Sequence, residues 1–255
     1  IHVHETGSIE ATGHKCLALP GKNGKITARQ IRKAVEEHRA NASHEHEVQP
    51  GMVYISNPTE VGTLYNKEEL TDISAACYEL GLYLFVDGAR MAYGLTSPAN
   101  DLSLQDYAAL CDVFYLGGTK CGALFGEAVV FTKGNTPKHF LTQIKQHGAL
   151  LAKGWLLGLQ FGTLFTDDLY QTISKNAIET AAVLKKGLAE KGYSFFMDSP
   201  TNQVFIVLSN EQLAALEGKA KFGFWEKYDD THTVVRIATS WATRMEEVEQ
   251  LLELM

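Results

Sequence analysis

The sequence predicts an α/β protein in which a mixed, mainly parallel sheet is wrapped by helices and followed by a smaller C-terminal α+β lobe. Apolar runs at Met52–Ser56, Leu82–Val86 and Val113–Leu116 are separated by helical stretches, the pattern of buried strands joined by crossovers. The apolar run Ala128–Phe131 follows the third strand after a link too short for a crossover, so it pairs antiparallel. Beyond residue 191, strands and helices recur without this βαβ rhythm, which marks a separate lobe.

Composition supports this reading. With 255 residues, 45% hydrophobic and 21% charged, the chain is an ordinary folded protein, long enough for two unequal lobes. Their expected extents are 1–165 and 166–255. The net charge of −7 gives no attraction to nucleic acid or anionic lipid and leaves small polar molecules as the expected partners. Cys16, Cys77, Cys111 and Cys121 form no C-x-x-C pair, which fits a reducing compartment, the cytoplasm, and argues against a metal site. The apolar stretch 149–165 carries Lys153 and Gln160 and is too short to span a bilayer.

Element by element, Ile1–Glu5 alternates like the middle of a strand, which suggests that the chain begins inside a longer protein. A short strand at Leu17 leads into the turn Pro20–Lys25. Thr27 and Gln30 then form a capping box for a helix reaching about His38. Residues 41–51 are polar and read as a surface loop. After the first buried strand, Asn57-Pro58-Thr59-Glu60-Val61-Gly62 is loop, and a helix spans Glu68–Leu80 with Gly81 at its C′ position. Leu104–Leu110 is helical. One long helical region is expected over His139–Phe165 and another over Asp167–Lys191. Strands at Ser194–Met197, Gln203–Leu208 and Val234–Ala238, with helices at Glu211–Leu216 and Glu246–Leu254, complete the chain.

Ligands of open α/β sheets bind outside the carboxyl ends of the strands. Two charged residues stand there: Asp87, before Gly88-Ala89-Arg90, and Lys120, after Gly117-Gly118-Thr119. One reading is an ion pair at a sheet edge. The other is a pocket for pyridoxal phosphate, with a lysine bonding the cofactor carbonyl and a carboxylate facing the pyridine nitrogen. Arg90 adds a forked donor suited to a carboxylate.

Phe85-Val86-Asp87-Gly88-Ala89-Arg90, Tyr115-Leu116-Gly117-Gly118-Thr119-Lys120-Cys121-Gly122, Thr201-Asn202-Gln203-Val204-Phe205 and Val235-Arg236-Ile237-Ala238-Thr239 resemble the low-specificity L-threonine aldolases of the β-eliminating lyase group. The resemblance runs over essentially the whole chain. It implies an aspartate-aminotransferase-like fold (fold type I), pyridoxal 5′-phosphate as cofactor, and retro-aldol cleavage of threonine or allo-threonine to glycine and acetaldehyde. Another pyridoxal-dependent lyase or aminotransferase, or a non-catalytic protein of the same fold, is the alternative.

By this resemblance Lys120 bonds the cofactor, Asp87 partners its ring nitrogen, and Arg90 and Arg236 bind the substrate carboxylate. Thr119 and Lys153 would serve the phosphate, and His4 or His2 would stand in for a ring-stacking histidine expected just ahead of Ile1. A glycine-rich phosphate loop is expected further upstream. Thr59 stands where relatives often carry a histidine that is a candidate base. A homodimer or homotetramer is implied.

Overall fold

The computed structural model describes residues 1–255. Strands β1 (Met52–Ser56), β2 (Tyr83–Asp87), β3 (Val113–Leu116) and β4 (Ala128–Phe131) form a sheet in the order β1-β2-β3-β4. The first three run parallel and β4 is antiparallel to β3, as the link lengths predict. Helices α3 (Lys67–Leu80) and α5 (Leu104–Leu110) make the crossovers, each opened by a full capping box, from Asn66 with Glu69 and from Ser103 with Asp106. Gly81 closes α3 at φ 73°, a left-handed position that favours glycine.

Alternation along the strands gives the sheet two faces. Ile55, Leu84, Val86 and Phe114 are buried with Ile31 of α2 (Ala28–Ala40) and Leu70 of α3 in the larger core. On the opposite face, half-buried Tyr54 stacks on Phe85 with ring centroids 5.1 Å apart, and Phe85 lies 6.1 Å from Tyr115. Asp87 sits in register with Ser56 at the carboxyl end of this aromatic row.

The second sheet, of order β5-β6-β8-β7, is antiparallel throughout and contains β5 (Ser194–Met197), β6 (Gln203–Ser209), β7 (Gly223–Lys227) and β8 (His232–Ala238). Val204, Ile206 and Val235 pack on the long helix α8 (Leu169–Glu190) and on α10 (Met245–Leu254) to form a smaller core. Helix α8 joins the two cores. Its Tyr170 and Ala177 belong to the larger one and Ala181, Leu184 and Leu188 to the smaller.

Several local expectations are corrected. Ile1–Glu5 is not a strand: a short 3-10 turn, Glu5–Gly7, runs into α1 (Ser8–Ala11). Leu17 lies in irregular chain. The region His139–Phe165 is two helices, α6 (Phe140–Gln146) and α7 (Trp155–Leu164), because Gly148 and Lys153 take positive φ values of 72° and 69° between them. The sequence reading missed β7 and α4 (Met91–Thr96), whereas α9 (Asn210–Leu216) falls where a helix is expected, directly after β6.

Candidate active site

The ends of β2 and β3 carry the two charged residues that the sequence singles out. Gly117 N donates to Gly88 O at 2.9 Å, fixing the two strand ends side by side. A Cβ on Gly88 would lie 2.1 Å from Tyr115 O, and one on Gly117 would lie 2.1 Å from Ala89 O. Both glycines are therefore required by this close crossing.

Asp87 is held from several sides. Its Oδ1 accepts from Ala89 N at 2.9 Å and its Oδ2 accepts a short hydrogen bond from the Tyr54 hydroxyl. Burial first, and then the Asp87 carboxylate, push the Tyr54 phenol far above its ordinary range, and the same causes act on Tyr115. Both phenols therefore keep their protons, and Tyr54 donates its own to Asp87.

Lys120 lies exposed at the far end of the turn after β3. That turn is held by two buried tyrosines and one exposed carboxylate. Tyr170 Oη donates to Gly117 O at 2.8 Å, Tyr93 Oη donates a short bond to Lys120 O, and Glu127 accepts from Gly118 N and, at 2.9 Å, from Thr119 Oγ1. The Thr119 hydroxyl thus spends its proton on a carboxylate in this structure, a partner that the sequence does not reveal.

Arg90 follows the Asp87-Gly88-Ala89 turn and precedes α4. Burial lowers its guanidinium from the ordinary value, Glu60 opposes that shift, and the positive charge of Arg236 adds to it. Two guanidiniums therefore share one region. Arg236, on β8, lies over the Trp225 ring with its carbon 5.7 Å from the centroid and reaches Gln203 Oε1 at 3.5 Å. Gln203, fully buried, donates to Thr59 O and Glu60 O, both at 3.4 Å, and so joins the second sheet to the loop after β1.

Other expected site residues stand apart from this cluster. Lys153 is exposed in the link between α6 and α7, and His4 is exposed ahead of the first 3-10 turn. The neighbouring Glu5 is close enough to Tyr115 for its charge to raise that phenol. Thr59 is buried, and its hydroxyl is paired with Thr63 Oγ1 at 2.7 Å, so it is no free base. Glu60, beside it, is the exposed carboxylate of this loop and accepts from Ser56 Oγ at 3.4 Å. Sequence reading passed over it because nothing in the chain spacing links it to Arg90.

The family model described as beta-eliminating lyase matches residues 1–211. The chain belongs to this family. As a beta-eliminating lyase it is 31% identical to the low specificity L-threonine aldolase of Pseudomonas aeruginosa over 255 residues, covering 98% of this chain and 71% of that protein. A second such aldolase, from a Pseudomonas species, is 30% identical over the same shares. Among solved structures, the threonine aldolase of Leishmania major is similar over 99% of this chain and 72% of its own, with a TM-score of 0.94 and 46% identity. A putative L-allo-threonine aldolase of Listeria monocytogenes, at 17% identity and a TM-score of 0.74, shares the fold. The aspartate-aminotransferase-like architecture expected from the sequence is thereby borne out.

The residues present fit the ring and carbonyl ends of pyridoxal phosphate. A carboxylate held by two donors and an exposed amine lie at adjacent strand ends, and the Arg90 guanidinium lies close enough to Arg236 to feel its charge.

Proposed function

We propose that this beta-eliminating lyase cleaves β-hydroxy-α-amino acids, threonine and allo-threonine, to glycine and acetaldehyde with pyridoxal phosphate as cofactor. The observation that carries the reading is the Gly88–Gly117 crossing, which brings the Asp87 strand end against the turn bearing Lys120. The names of the Pseudomonas and Leishmania relatives support the choice of substrate.

In this reading Lys120 Nζ would hold the cofactor at its carbonyl carbon and would be the amine that the substrate amine replaces there. Asp87 holds a proton at the ring nitrogen, while Tyr54 and the Ala89 amide keep the carboxylate aimed. Arg90 and Arg236 take the substrate carboxylate through paired N–H donors and so orient the Cα–Cβ bond for cleavage. Bound pyridoxal phosphate supplies the sink for the electron pair left on Cα when that bond breaks. Lys120, once free, is the amine that moves protons at the substrate.

Thr119 and Lys153 are assigned to the phosphate and His4 to the ring face. For Thr119 this requires exchanging its bond to Glu127. The two lobes, 1–165 and 166–255, contribute Asp87, Arg90 and Lys120 from one side and Arg236 from the other. A homodimer or homotetramer is supported by α7, whose sequence is largely apolar while Trp155, Leu156 and Leu159 are exposed. The free state of Cys16, Cys77, Cys111 and Cys121 supports a cytoplasmic setting. No helix is long and apolar enough to cross a membrane.

Incubating the protein with pyridoxal phosphate and L-threonine tests the reading. Equal amounts of glycine and acetaldehyde are expected. Release of 2-oxobutanoate and ammonia without glycine would instead show elimination at the same centre.

A further inference from the structure

Tyr93 lies on α4 one helical turn after Arg90, and its amide donates to Arg90 O at 3.0 Å. Its side chain is 1% exposed. The hydroxyl donates to Lys120 O and accepts from Trp241 N at 3.2 Å. Trp241 stands just beyond β8, the strand that carries Arg236. The turn Ser240–Thr243 is itself pinned to α8 by Asn176, whose Nδ2 donates to Ser240 O at 3.1 Å and Thr243 O at 2.8 Å. One phenol thus connects the lysine turn, the helix that follows Arg90 and the end of the Arg236 strand.

We infer that Tyr93 is a positioning residue: its hydroxyl sets the Lys120 turn against the C-terminal lobe, so that the amine and the carboxylate-binding Arg236 keep one fixed relation. The inference rests on the assignment of Lys120 as the cofactor-bonding residue. Its physical basis is that the hydroxyl of a residue only 1% exposed meets two backbone groups at once, so removing it takes one hydrogen-bond partner from the Lys120 carbonyl and another from the Trp241 amide. Burial raises the Tyr93 phenol well above its ordinary value, so the hydroxyl remains a donor to Lys120 O at every working pH.

Two variants separate this role from mere packing. Tyr93→Phe keeps the ring and removes the hydroxyl. Trp241→Pro removes the N–H that meets it on the backbone side, at the second position of a turn closed by Thr243 N donating to Ser240 O, where proline is tolerated; it also removes the indole, so it is read against Trp241→Ala, which loses the ring and keeps the N–H. Hydrogen exchange of residues 118–123 in the cofactor-free chain should quicken about tenfold in both variants, and cofactor capture at Lys120, followed by absorbance, should slow by a similar factor. Wild-type exchange and capture in both would overturn the inference, even where thermal stability falls. If Tyr93→Phe does not fold, Trp241→Pro decides alone. A wild-type chain that captures cofactor at another residue would defeat the Lys120 assignment itself, and that result is distinct from normal capture by both variants.

Discussion

Gly117 N meets Gly88 O at 2.9 Å, and this contact aligns the end of the Asp87 strand with the start of the Lys120 turn. The strands before it are ordinary buried β structure, and the residues after it carry the chemistry. Gly117→Ala would place a methyl carbon 2.1 Å from Ala89 O, a backbone obstruction that no side-chain adjustment relieves. The expected outcome is a fall in melting temperature of several degrees or more, corresponding to at least about 2 kcal/mol, together with loss of cofactor capture. Differential scanning calorimetry with a cofactor titration checks both.

Asp87→Asn preserves shape and an acceptor for Tyr54 while removing the charge. Turnover should fall by about 100-fold or more, with cofactor affinity changing by less than about tenfold, because the charge acts on the electron sink more than on binding. Equal losses in both quantities would assign Asp87 a structural role. Steady-state kinetics alongside equilibrium dialysis give the two numbers.

Arg90→Lys and Arg236→Lys should each raise the KM for threonine by roughly tenfold, since an ammonium offers no planar fork to a carboxylate. The Arg236 variant also weakens the contact with Trp225. An unchanged KM would remove that arginine from the substrate site.

How much of this was legible in the sequence follows from what each feature depends on. The buried strands, their capped crossover helices and the charged strand ends are local patterns, and they fall where the residues predict. The α6–α7 break was not legible, because Gly148 and Lys153 adopt positive φ inside a stretch whose composition is helical throughout. Strand β7 was missed because Gly223-Phe224-Trp225-Glu226-Lys227 is a short, mostly exposed edge strand. In the site, Asp87, Arg90 and Lys120 are marked by adjacent glycines and by the resemblance. The links Thr119–Glu127, Tyr93–Lys120 and Gln203–Glu60 are long-range or side-chain-specific contacts with no periodic signature.

The thiols give a pH prediction. Burial pushes Cys77, Cys111 and Cys121 from 9.0 up to about 12. Their folded-state values lie above the unfolded ones, so the stability they contribute is complete below pH 9.0 and is lost as pH rises toward 12. Denaturant midpoints should therefore decline across that window. At neutral pH a thiol reagent should modify Cys16, which is partly exposed, and reach the other three only on unfolding. Rapid modification of Cys121 in the native protein would contradict its burial.

The most direct measurement is borohydride reduction of the holoenzyme followed by peptide mapping. Reduction should abolish an absorbance band at about 420 nm and leave the cofactor attached to Lys120, with Lys120→Ala showing neither band nor adduct. An adduct on another lysine, or a Lys120→Ala variant that retains both the band and threonine cleavage, would contradict the account.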